Sequence, residues 1–111
     1  MGYENTPLLE AIVDHDSFGA NVIVPGIPGK TILVYSIFFV MGEDSLVTFK
    51  SGLLVELTGS MNMKAAGSIV LDYNRRPWFR CADGEDFVID LTVAVSIDGR
   101  CYYTQSATDT L

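Results

Sequence analysis

The single histidine of the chain stands between two aspartates, Asp14-His15-Asp16. Carboxylates beside an imidazole raise its basicity, and all three side chains are metal-ligand types. In an extended segment consecutive side chains point to opposite faces, so the three cannot converge on one proton or one ion. The triplet reads as a solvated polar turn. Asp83-Gly84-Glu85-Asp86 and Glu43-Asp44 hold the hard oxygen donors that calcium takes, but EF-hand spacing is absent. They read as solvated loops. A serine nucleophile would have to use His15 and a nucleophile elbow, and no Gly-x-Ser-x-Gly occurs. Paired carboxylates of the glycosidase kind depend on spatial pairing and have no supporting motif. The residues assign no catalytic group, cofactor or metal, and the expectation is a non-enzymatic protein.

Arg75-Arg76-Pro77-Trp78-Phe79-Arg80 is a sharper anomaly. Three of the seven lysines and arginines surround the only tryptophan, in a chain with fourteen acids. Arginine and tryptophan are enriched where proteins bind partners. Either the segment is a binding surface, or Trp78 and Phe79 enter the core while the arginines neutralise nearby acids.

With 111 residues and a net charge of −7, the chain has the size of one domain and repels phosphate backbones, so nucleic acid is not an expected partner. The longest apolar run, Ile32 to Met41, is interrupted by Ser36 and is far short of the roughly 18 residues that span a bilayer. Membrane insertion is not expected, and Met1–Pro7 lacks the basic start and apolar stretch of a signal peptide. A hydrophobic fraction of 49% is high for so small a chain, which implies a generous core or apolar surface covered by a partner. Cys81 and Cys101 cannot build a zinc site alone and read as free, partly buried thiols.

The elements that must position these groups are strands. Leu8–Val13, Ala20–Val24, Thr31–Val40, Leu46–Lys50, Leu53–Thr58, Ser68–Asp72, Trp78–Cys81, Phe87–Ile97 and Arg100–Gln105 are rich in strand formers and separated by turn signals. Phe87, Ile89, Leu91, Val93, Val95 and Ile97 alternate with more polar residues, predicting one long strand with a buried face. Asp98-Gly99 then reads as a two-residue hairpin turn, pairing Ile97 with Arg100 and Val95 with Tyr102. Ser60–Ala66 has room for one helical turn. Thr31–Met41 is apolar on both faces, Leu33, Tyr35, Ile37 and Phe39 on one and Ile32, Val34, Phe38 and Val40 on the other. Such a strand is covered on both sides, by the core and by a loop, an N-terminal arm or a second subunit. The expected fold is all-β, a jelly-roll-like antiparallel sandwich of eight or nine short strands, with an arm at 1–8 and one domain at 9–111.

Several segments read together carry a resemblance. Gly29-Lys30-Thr31-Ile32-Leu33-Val34, Val47-Thr48-Phe49-Lys50-Ser51-Gly52, Leu57-Thr58-Gly59, Leu71-Asp72-Tyr73-Asn74 before Trp78-Phe79, Gly84-Glu85 ahead of the alternating strand, and the final Asp98-Gly99 hairpin resemble small structural proteins of tailed phages. The nearest likeness is to the capsid decoration, or cement, proteins of epsilon15-like short-tailed phages, over residues 29–104. Arg75-Arg76 before Pro77, and Cys81 in place of a small polar residue, depart from that pattern. The resemblance implies a jelly roll on the outer surface of the virion shell, paired with itself and bridging neighbouring major capsid proteins. The expected partner-binding residues are Tyr3, Leu8, Arg75, Arg76, Trp78 and Arg80. The alternative is a carbohydrate-binding or receptor-binding module of a tail fibre, with Tyr73, Trp78, Tyr102 or Tyr103 stacking on sugars.

Overall fold

The computed structural model describes residues 8–110. Ten strands follow one another: β1 (Leu9–His15), β2 (Gly19–Val24), β3 (Lys30–Met41), β4 (Ser45–Ser51), β5 (Val55–Glu56), β6 (Met61–Met63), β7 (Ser68–Leu71), β8 (Phe79–Arg80), β9 (Phe87–Leu91) and β10 (Ile97–Ala107). A short 3₁₀ turn, Thr108–Thr110, ends the described chain. The first sheet runs β1-β10-β3-β7, with β8 also on β3; the second runs β2-β9-β4-β5, with β6 also on β4. Every pairing is antiparallel. Sequence neighbours β1/β2, β9/β10, β3/β4 and β6/β7 occupy matching places in opposite sheets. That is the wound double ribbon of a jelly roll, the fold class the strand pattern implies.

The inner faces meet in one core. Ile32, Val34, Ile37, Phe39 and Met41 of β3 oppose Val47 and Phe49 of β4 and Phe87, Ile89 and Leu91 of β9. Phe49 lies at its centre, with ring centroids 4.7 Å from Phe79, 5.8 Å from Phe87 and 6.1 Å from Phe39. These are separations at which aromatic rings attract beyond their burial.

The faces of β3 differ from the simple alternation. Tyr102 pairs with Ser36 while Tyr103 pairs with Val34, so Tyr35 is an extra residue, a β-bulge. One inserted residue inverts the phase. Ile32 and Val34 point inward before it, and Ile37, Phe39 and Met41 point inward after it. Outward-facing Leu33 is covered, whereas Phe38 and Val40 stay exposed.

The hairpin at Asp98-Gly99 is overturned. β9 ends at Leu91, residues 92–96 cross from one sheet to the other, and Asp98 and Gly99 lie inside β10. Ile97 pairs with Met41 and His15, Arg100 with Phe38 and Ile12, and Cys101 with Ile37 and Ala11, instead of with one another. The glycine serves close approach and not a turn: a Cβ at Gly99 would overlap the Phe38 carbonyl oxygen and stand 2.6 Å from the Phe39 Cα. Of the six residues assigned to the buried face, only Val93 is exposed, because it sits in the crossover. Tyr102 is half-buried and lies beside Glu10 and Ser36, outside the core cluster. Two further segments differ. Met61–Met63 is a strand pairing with β4 in place of a helical turn, its two methionines packing on the core. Leu53–Thr58 keeps strand structure only at Val55–Glu56.

Candidate functional site

Antiparallel winding sends the connections to two ends of the sandwich. The register places Lys30 beside Ala107, Leu9 beside Tyr103, Leu33 beside Arg80 and Ser51 beside Phe87. Loops 25–29 and 52–54, segment 81–86 and the Thr108–Thr110 turn therefore share one end. Segment 72–78, with Arg75, Arg76 and Trp78, leaves the edge of β3 between the levels of Ile37 and Val34, and Arg80 lies between it and that end, level with Leu33. Tyr3 and the rest of the arm through Pro7 lie outside the described residues.

This end is tied together by carboxylates and backbone. Asp83 accepts the Gly29 N–H through Oδ1 at 3.2 Å and the Thr108 hydroxyl through Oδ2 at 2.6 Å. Asp86 Oδ1 accepts the Gly26 N–H at 2.6 Å, and its carbonyl accepts the Gly52 N–H at 2.8 Å. The acidic segment thus accepts from backbone donors of two neighbouring connections and from a hydroxyl of the terminal turn. Among the described residues, no three His, Cys, Asp or Glu side chains gather as a metal-holding group. Asp14 and His15 lie in β1 with Asp16 just beyond it, so the triplet is mostly strand instead of turn.

The basic segment is a pinned loop. It springs from the β3 edge at the bulge, where β7 stops and β8 begins. Its neck is closed by the Ser36 hydroxyl donating to Leu71 O at 3.0 Å, the Trp78 N–H donating to Val34 O at 2.7 Å, and the Trp78 indole Nε1–H donating to Asp72 O at 2.8 Å. Both readings of the segment hold in part. Phe79 points inward and packs on Phe49 and Phe87, whereas Trp78 is 44% exposed. Arg75, Arg76 and Arg80 are exposed. Among the described residues, the ion pairs Lys50–Asp90, Lys64–Asp44 and Arg100–Glu10 leave Arg76 and Arg80 uncommitted. Exposed Tyr73 stacks on Tyr35, the bulge residue, at 6.1 Å. The bulge thereby turns a tyrosine outward to brace the loop. Tyr102 and Tyr103 are half-buried, and Tyr103 packs on the core.

A second feature of this end was not read from the sequence. Leu53 and Leu54 are 67% and 92% exposed in the tight connection between β4 and β5. Their apolar character made them look like a strand, but Gly52 with its φ of +66° turns the chain first. The glycine before an apolar run was the available signal.

Cys81 and Cys101 are free and buried. They flank β3 on opposite sides, Cys81 donating its N–H to Ile32 O and Cys101 pairing with Ile37. Burial pushes the Cys81 thiol up to about 11 and the Cys101 thiol up to about 12, against an ordinary value of 9.0. Thiols so protonated and enclosed are inert. Iodoacetamide at pH 8 should leave both unlabelled in the folded protein and modify both in denaturant; labelling without unfolding would contradict the burial.

No family model, curated protein or solved structure matches the chain.

Proposed function

We propose that the protein is a capsid decoration protein, which binds the outer surface of an icosahedral phage shell and bridges neighbouring major capsid proteins. The observation that carries this reading is the Arg75–Arg80 loop. It is a pinned, basic, tryptophan-bearing projection from the edge of β3 in a protein whose net charge is −7. Guanidinium groups hold carboxylates bidentately, and a fixed indole fills a pocket at little entropic cost. The loop therefore suits an acidic protein surface with a recess for Trp78. The motifs that resemble the tailed-phage proteins supply the class of partner. The same reading includes a two-fold dimer. Exposed Ile12, Phe38, Val40 and Val70 lie on the outer face of the first sheet, with Arg100 and its Glu10 ion pair between Ile12 and Phe38, and this apolar surface with a charged pair inside it supports the dimer.

The test is binding to undecorated shells assembled from the major capsid protein of the same virus. Wild-type protein should bind to near-stoichiometric occupancy, and the affinity should fall as salt rises, as it does for exposed charge pairs. Arg76→Ala with Arg80→Ala should lower occupancy at least tenfold at low salt while leaving the circular dichroism and melting curve unchanged. Full occupancy by this variant would remove the loop from the binding surface. Absence of wild-type binding would remove the function.

A further inference from the structure

The Leu53-Leu54 tip lies near the foot of the basic loop, two residues beyond the Ser51–Ala82 hydrogen bond, and has the opposite chemistry. Turn apices usually carry Gly, Asn, Asp, Ser or Pro, which tolerate water and unusual backbone angles. Here two large apolar side chains occupy the apex, and Val55 behind them is also exposed. Nothing in the fold uses them: neither leucine belongs to the core or packs on it. Their scaffold is nevertheless rigid. Ser51 pairs with both Val55 and Phe87, Gly52 donates its N–H to Asp86 O at 2.8 Å, and the Ser51 hydroxyl accepts the Ala82 N–H at 2.9 Å. A Cβ at Gly52 would collide with the Glu85 carboxylate, so the loop base is held against the acidic segment. An exposed apolar group on a fixed support loses little entropy on docking.

We propose that Leu53 and Leu54 form a second anchor, which inserts into an apolar pocket with a basic rim on the same shell protein that the arginine loop contacts. The rim follows from charge complementarity. Exposed Glu56 follows the tip on β5, and Glu85 and Asp86 stand at its base. Lys50, opposite Glu56 in the β4–β5 register, is already committed to Asp90 at 2.7 Å. This acidic collar opposes approach to an anionic bilayer and suits lysines or arginines around a pocket. The two anchors are close enough for one partner. The Ala82–Ser51 hydrogen bond leaves two residues to Arg80 on one side and two to Leu53 on the other, a path of at most about 21 Å. Once the charged loop has engaged, the tip docks as an intramolecular event, and the two contacts multiply. The loop supplies a salt-sensitive part of the affinity and the tip a salt-resistant part.

This inference rests on the decoration reading, and one set of shell-binding titrations separates them. Leu53→Ser with Leu54→Ser should keep the wild-type melting curve, because neither side chain is in the core. It should lose at least tenfold in affinity for undecorated shells, with an unchanged salt slope. Arg76→Ala with Arg80→Ala should instead flatten the salt slope. Val93→Ser, at a half-exposed apolar position at the other end, should bind as wild type. Wild-type binding that the leucine variant matches within twofold overturns the second anchor and leaves the function standing. Wild-type protein that binds no shells overturns both. Leucine-dependent binding to vesicles of phosphatidylcholine with phosphatidylglycerol makes the tip a membrane anchor and overturns the pocket.

Discussion

Gly99→Ala should lower the melting temperature by more than about 12 °C, from a loss of about 3 kcal/mol or more. The added methyl has nowhere to go. Gly99 lies within β10 between β1 and β3, paired with Val13 on one side and Phe39 on the other. Its Cβ would overlap the Phe38 carbonyl oxygen and the Phe39 Cα, which are backbone atoms in the middle of the sheet. A flexible side chain can rotate away from a new methyl, but a central strand moves only by breaking its ladder. The substitution also separates two architectures. In a hairpin turn, alanine at this place would cost only the strain of a positive φ, of order 1 kcal/mol. A melting temperature within a few degrees of wild type would mean that Gly99 is not between two strands.

Phe49→Ala should be the most damaging single truncation, at about 3–5 kcal/mol. Phe49 is 1% exposed and contacts rings from three other segments: Phe39 on β3, Phe79 on β8 and Phe87 on β9. Removing it empties the position where the two sheets and the foot of the basic loop meet. Phe79 would lose one of its two ring partners, so the loop should loosen along with the core. Phe49→Leu keeps much of the volume and should cost less than half as much. Chemical denaturation of both variants measures the difference. Similar losses for Leu and Ala would show that the ring cluster contributes no more than aliphatic packing.

Much of the sandwich was legible because strand pattern and turn chemistry agree along most of the chain. β1, β2, β3, β4, β7 and β8 fall within two residues of the runs rich in strand formers, as period-two burial requires. The failures come from residues whose local chemistry has two uses. Asp98-Gly99 is the commonest hairpin signal, yet glycine also allows two backbones to approach, and only the neighbouring strands decide between them. The alternation from Phe87 to Ile97 continues through the crossover because Val95 and Ile97 remain buried after the chain has changed sheets. Burial has a period even where pairing has stopped. The bulge at Tyr35 is silent in sequence, since an inserted tyrosine inside an apolar run looks like another strand residue. At the candidate site, the basic segment was visible from composition alone. That Trp78 faces outward while Phe79 faces inward follows from which edge of β3 the segment meets, and that is a tertiary fact.

The position of β10 has a consequence for how the protein is made. It lies between β1 and β3, so until β10 exists β1 has no partner in the first sheet and β3 has only β7 and β8 on its other edge. Translation covers the roughly 60 residues from the end of β3 to the middle of β10 in about 3–12 s at typical rates. Throughout that interval β3, twelve residues long and strongly apolar, keeps the whole edge that β10 will take unpaired. The nascent chain therefore cannot complete its first sheet before β10 has been made, and contacts of such long sequence separation close slowly even afterwards. A need for chaperones while that edge of β3 is open, and little need once β10 has zipped into place, is the outcome this strand order leads us to expect.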